Sequence, residues 1–347
     1  MDQSQLRDFE GRCIQEEAPA CQTMCPLHVE ARAFCARMAG GALAEARKIL
    51  DRAMPLSGLV ARLCHGACLP HCRRAELDGA VNMPLLELAC VQQTPSVRPM
   101  AMPATGKTVA VAGAGLSSLA LAFELAKKGH GVTIFHKGPP GGRLASLTPD
   151  ILPPEVLAGA LEDLAAMRVR FEELPAFSPA WREAVLQSCQ ALYAGLDDPQ
   201  LTLAGLGLDG ISDYLTLETN CDPRLFAGGQ RGGSPSFAPS GPSPEPSFVR
   251  EAADGKRAAG SIVRLLQGVA PSSARDREDA FQALAVKAAP GLGNGLVKRR
   301  RGRVGGLHRR QRGRAGNICK KQAGVYVFPI SGRIQGLSQA LCKGNLQ

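Results

Sequence analysis

Eight of the 12 cysteines fall between Cys13 and Cys90, and six of these form two triplets, Cys13-x7-Cys21-x3-Cys25-Pro26 and Cys64-x3-Cys68-x3-Cys72. The opening stretch MDQSQLRDFEGRC has no basic patch followed by an apolar run, so it does not point to export, and the thiols are expected to stay reduced in a cytoplasmic setting. Reduced thiols gathered at short spacing point to metal. Thiolate is a soft ligand that suits both zinc and iron-sulfur clusters. Structural zinc closes a single tetrahedron with closely spaced pairs, whereas a run ending x3-Cys-Pro, whose last Cys serves a second cluster, is an iron-sulfur pattern. Two groups of three thiols therefore match two clusters better than one zinc ion. Zinc, with His65 and His71 as added ligands, and unliganded thiols are the alternatives. Cys35 in AFCARM and Cys90 in LLELAC lie on apolar stretches and read as small buried hydrophobes.

Length and punctuation divide the chain. Its 347 residues suffice for two ordinary domains. Residues 1–91 show helical spacing in ALAEARKIL and LLELAC, separated by cysteine-bearing loops. Residues 92–106, with QQTPSVRPMAMP, read as a linker. Residues 107–280 read as an α/β unit: strand TVAVA, a Gly turn, helix LALAFELAKKG, strand VTIF, an amphipathic helix VLAGALEDLAAM, a short strand VRF, and later RLFAGG followed by ADGKRAAGSIVRLL. A Pro/Ser-rich insert occupies 231–247. The apolar run Thr108–Ala126 has the length of a membrane span, but its central Gly and Ser residues make it a strand, turn and buried helix, so no membrane span is expected.

Gly113 and Gly115 follow the first strand and open a helix, which is the context a dinucleotide fingerprint requires. Gly113 allows the tight turn, and Gly115 lets the backbone approach a pyrophosphate at the helix N-terminus. The third fingerprint position is Ser118, which crowds helix against strand. Gly141, Gly142 and Arg143 complete the expected nucleotide site. A second GxGxxG, Gly205 to Gly210, precedes ISDYLTL rather than a helix and reads as a chance match in a loop. A nucleophile elbow, HExxH or P-loop is not found in the sequence.

The segments RCIQEEAPACQTMCPLHV, ARLCHGACLPHC and GAVNMPLLE, followed by the Gly fingerprint and LFAGG, resemble the N-terminal iron-sulfur and FAD domains of the glutamate synthase small subunit and dihydropyrimidine dehydrogenase family. The resemblance spans about residues 10–280. It implies an α-helical iron-sulfur domain followed by an α/β, Rossmann-like, FAD-type nucleotide-binding domain. It also implies two [4Fe-4S] clusters: one on Cys13, Glu16, Cys21 and Cys72, with Glu16 standing where the family has Cys, and one on Cys25, Cys64, Cys68 and Glu87. His136 stands where the family's acid holds the ribose. Gly228, Gly229 and Gln230 stand where the family has Gly-Gly-Asp near the flavin. FAD binding is thus expected to be weakened, and a neutral imidazole accepts only one hydrogen bond. His136 beside Lys137 could instead favour a 2′-phosphate, hence NADP, as a lesser alternative. The family's inserted NAD(P) domain has no room between Gly142 and Phe226, so NAD(P)H chemistry within this chain is unsupported.

The leading expectation is an FAD-dependent iron-sulfur oxidoreductase or electron-transfer subunit that moves electrons between FAD, [4Fe-4S] clusters and a redox partner protein. The departures at Glu16, His136 and Gln230 speak for a rival, a degenerate relative acting as an interaction module. A basic-tailed nucleic-acid binder is the third reading. The chain carries +10, but residues 281–347 hold 14 Lys plus Arg and no acid, which leaves residues 1–280 at −4. That Gly/Arg-rich tail is expected to be disordered, to contact polyanions non-specifically, and to have the composition of a shifted reading frame.

Overall fold

Short helices joined by tight turns carry the cysteines, and a longer alternation of strands and helices follows. The computed structural model describes residues 18–76, 79–95, 98–208, 210–213, 215–229, 247–273 and 275. Cys13, Glu16, Gln230, residues 231–246 of the insert and the tail 281–347 lie outside the described residues.

The first part contains α1 (Ala20–Met24), α2 (Ala31–Ala39), α3 (Leu43–Ala53), α4 (Ser57–Val60) and α5 (Met83–Gln93). Ala46 and Leu50 of α3 are fully buried, one helical turn apart, and form the stripe that packs inward. Among the described residues between α4 and α5 the chain makes single 3-10 turns, at Ala61–Leu63, Leu69–His71 and Arg73–Glu76. Asn82 starts α5, its Oδ1 accepting from the Leu85 amide at 3.2 Å, which satisfies one of the helix's orphan donors. The helix runs to Gln93, so the chain leaves it two residues after the expected linker boundary.

The second part contains β1 (Thr108–Ala112), α6 (Leu116–Lys127), β2 (Gly131–His136), α7 (Pro154–Ala166), β3 (Arg170–Glu173), α8 (Pro179–Ser188), β4 (Ala191–Gly195), β5 (Ile211–Asp213), β6 (Glu218–Thr219), β7 (Leu225–Gly228) and α9 (Phe248–Leu266). The strands form one sheet in the order β3-β2-β1-β4-β7-β6-β5. The first five are parallel, and β6 and β5 run antiparallel at the edge. The order 3-2-1-4 is that of a doubly wound nucleotide fold, with the switch point between β1 and β4. β4 and β7 are buried along their whole length, and β1 over all but its first residue, which is why TVAVA, ALYAG and LFAG read as unbroken apolar runs.

The sequence reading located β1, β2, β3 and β7 but assigned no strand at β4, and it missed α8. Ser178 caps that helix by accepting from the Trp181 amide at 3.2 Å, and Pro179 sits at its first turn. Val185 and Leu186 of α8 pack with Leu192, Ala194 and Leu225 on one face of the sheet. On the other face α6 and α9 cross, and their core is continuous with Leu27, Phe34 and Leu59 of the cysteine-bearing part. Two polar ties reinforce this continuity: Lys256 Nζ donates to the Ala53 carbonyl at 2.5 Å, and Arg98 pairs with Asp163 at 2.8 Å. The second GxGxxG leads into β5, not a helix, in agreement with its reading as a loop. Among the described residues no helix is long and apolar enough to cross a membrane.

The α6/α9 crossing sets a test of the packing. A Cβ on Gly255 would overlap the Ser117 carbonyl oxygen and approach its carbon to 2.9 Å. Helix propensity alone favours Ala over Gly by about 1 kcal/mol. The clash is with backbone, which cannot swing away, so overpacking of roughly 1–3 kcal/mol outweighs it. Gly255→Ala is expected to lower the urea midpoint; a midpoint equal to or above that of the unsubstituted protein would contradict this account of the crossing.

Candidate metal centre and nucleotide crevice

Cys21 lies on α1, and Cys25, with extended backbone, is its C-terminal cap. Cys64 and Cys72 each terminate a 3-10 turn, and Cys68 begins the one between them. The Cys64–Cys68 loop is tight because Gly66 adopts φ +77°, and a Cβ there would come within 2.6 Å of the Leu69 side chain. On α5 the residues facing inward are Met83, Glu87, Cys90 and Val91. Glu87 is therefore an acid placed in the middle of an apolar stripe, and only 3% of it is exposed.

These groups face one another. Cys64 and Glu87 are within hydrogen-bond reach, and Cys25 is close enough to both to feel their charge. Burial pushes Cys25 up to about 11 and Cys68 up to about 12, and it raises Cys64 further, with Glu87 adding to the rise. Burial likewise lifts Glu87 to about 7, although its bond with Cys64 opposes the rise. The Oε2 of Glu87 is buried without a hydrogen-bond partner. An orphaned carboxyl oxygen among three thiols has the composition of a ligand set, since groups raised this far keep their protons unless a positive centre takes up their anionic forms. The residues fit an iron-sulfur cluster. Among the described residues no three His, Cys, Asp or Glu side chains converge on a single-ion site.

Of the other expected set, Cys21 and Cys72 are described. Burial raises Cys21, with Cys72 near enough to add to the effect, and the Cys72 sulfur accepts from the Val81 amide at 3.4 Å. Cys90 is fully buried, its thiol pointing toward the Leu43 carbonyl at 3.8 Å, as a small hydrophobe would be. Cys35 is only partly buried and lies 3.6 Å from the Met83 sulfur, near Cys21 and Cys72. His65 is taken up by a 3.3 Å contact with Ser247 Oγ.

In the crevice, Gly113 turns at φ +85° and Gly115 caps α6, as the fingerprint requires. Ser118 is accommodated because β4 has Gly195 opposite it, and any Cβ there would collide with Ser118 Oγ. His136 is buried at the end of β2, and its Nδ1 donates to the Gly138 carbonyl at 2.7 Å, leaving Nε2 as the single acceptor. Gly142 lies against Gly115, a Cβ on it coming within 3.4 Å of the Gly115 Cα. Arg143 pairs with buried Glu251 and stacks 4.4 Å over the Phe248 ring. Gly228 ends β7, and the Gly229 amide donates to Asp254 at 3.1 Å.

The sequence reading overlooked Asp197 and Asp198, which follow β4. Asp198 Oδ2 accepts from the Ala114 amide at 2.8 Å, and Asp197 Oδ2 accepts from the Ser117 amide at 2.9 Å. Asp197 also bonds the Ser117 hydroxyl. Both carboxylates are almost wholly buried, at 1% and 2% exposed. Two amide donors at this helix N-terminus, where a pyrophosphate would dock, are thus already taken by carboxylates. The residues present do not fit the pyrophosphate of FAD.

Residues 2–96 match the family model for dihydropyrimidine dehydrogenase domain II, 4Fe-4S cluster. This N-terminal part is therefore similar to the 4Fe-4S domain of dihydropyrimidine dehydrogenase. The chain is 31% identical over 136 residues to the NADPH-Fe(3+) oxidoreductase subunit beta of Geobacter sulfurreducens, covering 38% of this chain and 20% of that one. It is 31% identical over 176 residues to the NADP(+)-dependent formate dehydrogenase subunit beta of Moorella thermoacetica, covering 43% and 25%. It is 29% identical over 140 residues to the glutamate synthase [NADPH] small chain of Mycobacterium tuberculosis, covering 39% and 29%. The match thus spans less than a third of each of these relatives.

The crevice carboxyls make stability depend on pH. Burial lifts Glu251 to about 8, with Asp197 and Asp254 adding to the rise and Arg143 opposing it. Burial lifts Asp197 to about 6, against the Ser117 hydrogen bonds. Each of these carboxyls holds its proton more tightly folded than unfolded, so its contribution is fully present below its unfolded value and is lost as pH rises through its folded one. Stability is expected to fall between about pH 4 and pH 8 on this ground, and Glu251→Gln to flatten the upper half of the fall. Chemical unfolding across that range, finding stability level or rising and unaffected by Glu251→Gln, would overturn these assignments.

Proposed function

We propose that this chain is an electron-transfer component of an oxidoreductase, working through iron-sulfur clusters and a partner protein. The observation that carries the reading is the set of half-buried Cys25 and Cys64 with buried Cys68 and Glu87, Glu87 Oε2 being left without a hydrogen-bond partner. A [4Fe-4S] cluster bound by these residues would supply one-electron transfer, which acidic, thiol and amide side chains cannot perform themselves. The chain's own part is to hold the ligands on turns closed by Gly66, to shield them with Leu27, Leu63 and Met83, and to present a carboxylate from α5. A carboxylate is a harder ligand than thiolate, so Glu87 is expected to make this site more labile than an all-cysteine one. Cys21 and Cys72, with Cys13 and Glu16, are proposed to hold a second cluster. The relatives' names describe beta subunits and a small chain of oxidoreductases, in keeping with a redox partner subunit.

FAD has no role in this reading, because the crevice that would take it offers carboxylates where a dianionic group must bind. The degenerate, metal-free interaction module is the second reading, favoured by the same crevice. Metal content separates the two. Full-length protein prepared anaerobically is expected to contain about four irons and four acid-labile sulfides per intact site. Cys64→Ser is expected to remove that share, and Glu87→Cys to slow iron loss in air relative to the unsubstituted protein. Stoichiometric zinc, or neither metal nor sulfide after anaerobic preparation, would defeat the electron-transfer proposal.

A further inference from the structure

A helix N-terminus in a doubly wound fold attracts an anion because its first amides have no intrahelical partner and its dipole favours negative charge. In this chain the anion is built in. Asp198 takes the Ala114 amide, Asp197 takes the Ser117 amide and hydroxyl, and the carboxyl carbon of Asp197 would lie 2.6 Å from a Cβ placed on Gly115. On the far side Gly229 closes in, and a Cβ on it would fall 2.6 Å from Ser117 Oγ and 3.0 Å from the Asp197 carboxyl carbon. Gly142 lies over the same glycine, and the Gly141 amide donates to the Ala114 carbonyl at 3.0 Å. The loop glycines therefore make room for the chain's own carboxylates.

Charge agrees with shape. Asp197, Asp198, Glu251 and Asp254 are all buried or nearly so around the crevice. Two of the cations that face them are already engaged, Arg143 with Glu251 and Arg257 with Asp254, and Arg250 also lies near Asp254. A doubly charged pyrophosphate entering here would meet Asp197 and Asp198 at short range in a poorly screened site.

We propose that Asp197 and Asp198 are permanent internal occupants of the anion site, standing in for the pyrophosphate of a dinucleotide, so that the α/β unit is a scaffold that binds neither FAD nor a nicotinamide nucleotide. This goes beyond the electron-transfer reading and does not rest on it, since it concerns a different part of the molecule and its test does not use metal. If the carboxylates replace the ligand, removing them should create a need for one.

The test uses the full chain and thermal unfolding, with FAD and inorganic pyrophosphate as probes. The unsubstituted protein is expected to show no midpoint shift with either probe and to carry no flavin after purification. The double variant Asp197→Ala, Asp198→Ala is expected to lose roughly 2–4 °C or more of midpoint, as for a lost helix cap in a chain of this size. Millimolar pyrophosphate is expected to restore part of that loss in the variant alone. Stoichiometric flavin in the unsubstituted protein, an unchanged midpoint in the variant, or a lowered midpoint that pyrophosphate does not raise would each overturn the proposal. Should the alanine variant fail to fold, Asp197→Asn, Asp198→Asn keeps the side-chain shape and removes the charge. Pyrophosphate is then expected to shift its midpoint upward, and the absence of a shift counts against the proposal.

Discussion

Buried acids that share a pocket can ionise only beside a positive partner, and around Glu87 this constraint organises the first part of the molecule. Among the described residues between Leu63 and Met83 the chain makes nothing longer than a 3-10 turn, and Cys64, Cys68 and Cys72 cap these turns. Turns of this kind leave backbone groups and side chains without the cooperative support of a helix. Ligands that converge from α1, from the 64–72 loops and from α5 onto one cluster would tie those pieces together, and metal binding energy is then folding energy. The apolar core continues from this region to α6 and α9, so the metal centre rests on a packed base.

The second part of the molecule has the strand order and Gly turn of a nucleotide fold and yet satisfies that turn from within. Asp197 and Asp198 sit just past β4, at the switch point between β1 and β4 where such folds place their ligand. The architecture is thus retained for packing: Gly115 and Gly255 allow α6 to approach β4 and α9, and Ser118 fits because Gly195 lacks a side chain. Fold and ligand chemistry are separable here, as they are in general.

Legibility followed the range of the interactions. The strand, turn and helix at Thr108–Lys127 could be read locally because apolar runs and glycines act within a few residues. The cysteine triplets could be read because ligand spacing is local too. Glu87 came only through the family resemblance, although its place between Met83 and Val91 on the inward face of α5 was available as a signal. The helix Pro179–Ser188 was missed despite its Ser-Pro start, its apolar positions being few and its single Trp the most conspicuous of them. Asp197 and Asp198 were out of reach for another reason. Their partners Ser117 and Ala114 are 80 and 84 residues away in sequence, and an acid after a strand carries no local sign that it will cap a distant helix.

The most direct measurement of the central claim, that electrons pass through iron-sulfur clusters in a chain whose nucleotide crevice is self-filled, is low-temperature electron paramagnetic resonance during reductive titration of the anaerobically purified full-length protein. The account predicts a fast-relaxing signal that grows as each cluster takes up one electron, that is diminished in Cys64→Ser, and that appears with no flavin radical at any potential. A flavin radical, or a protein that takes up no electrons across the titration, would contradict it.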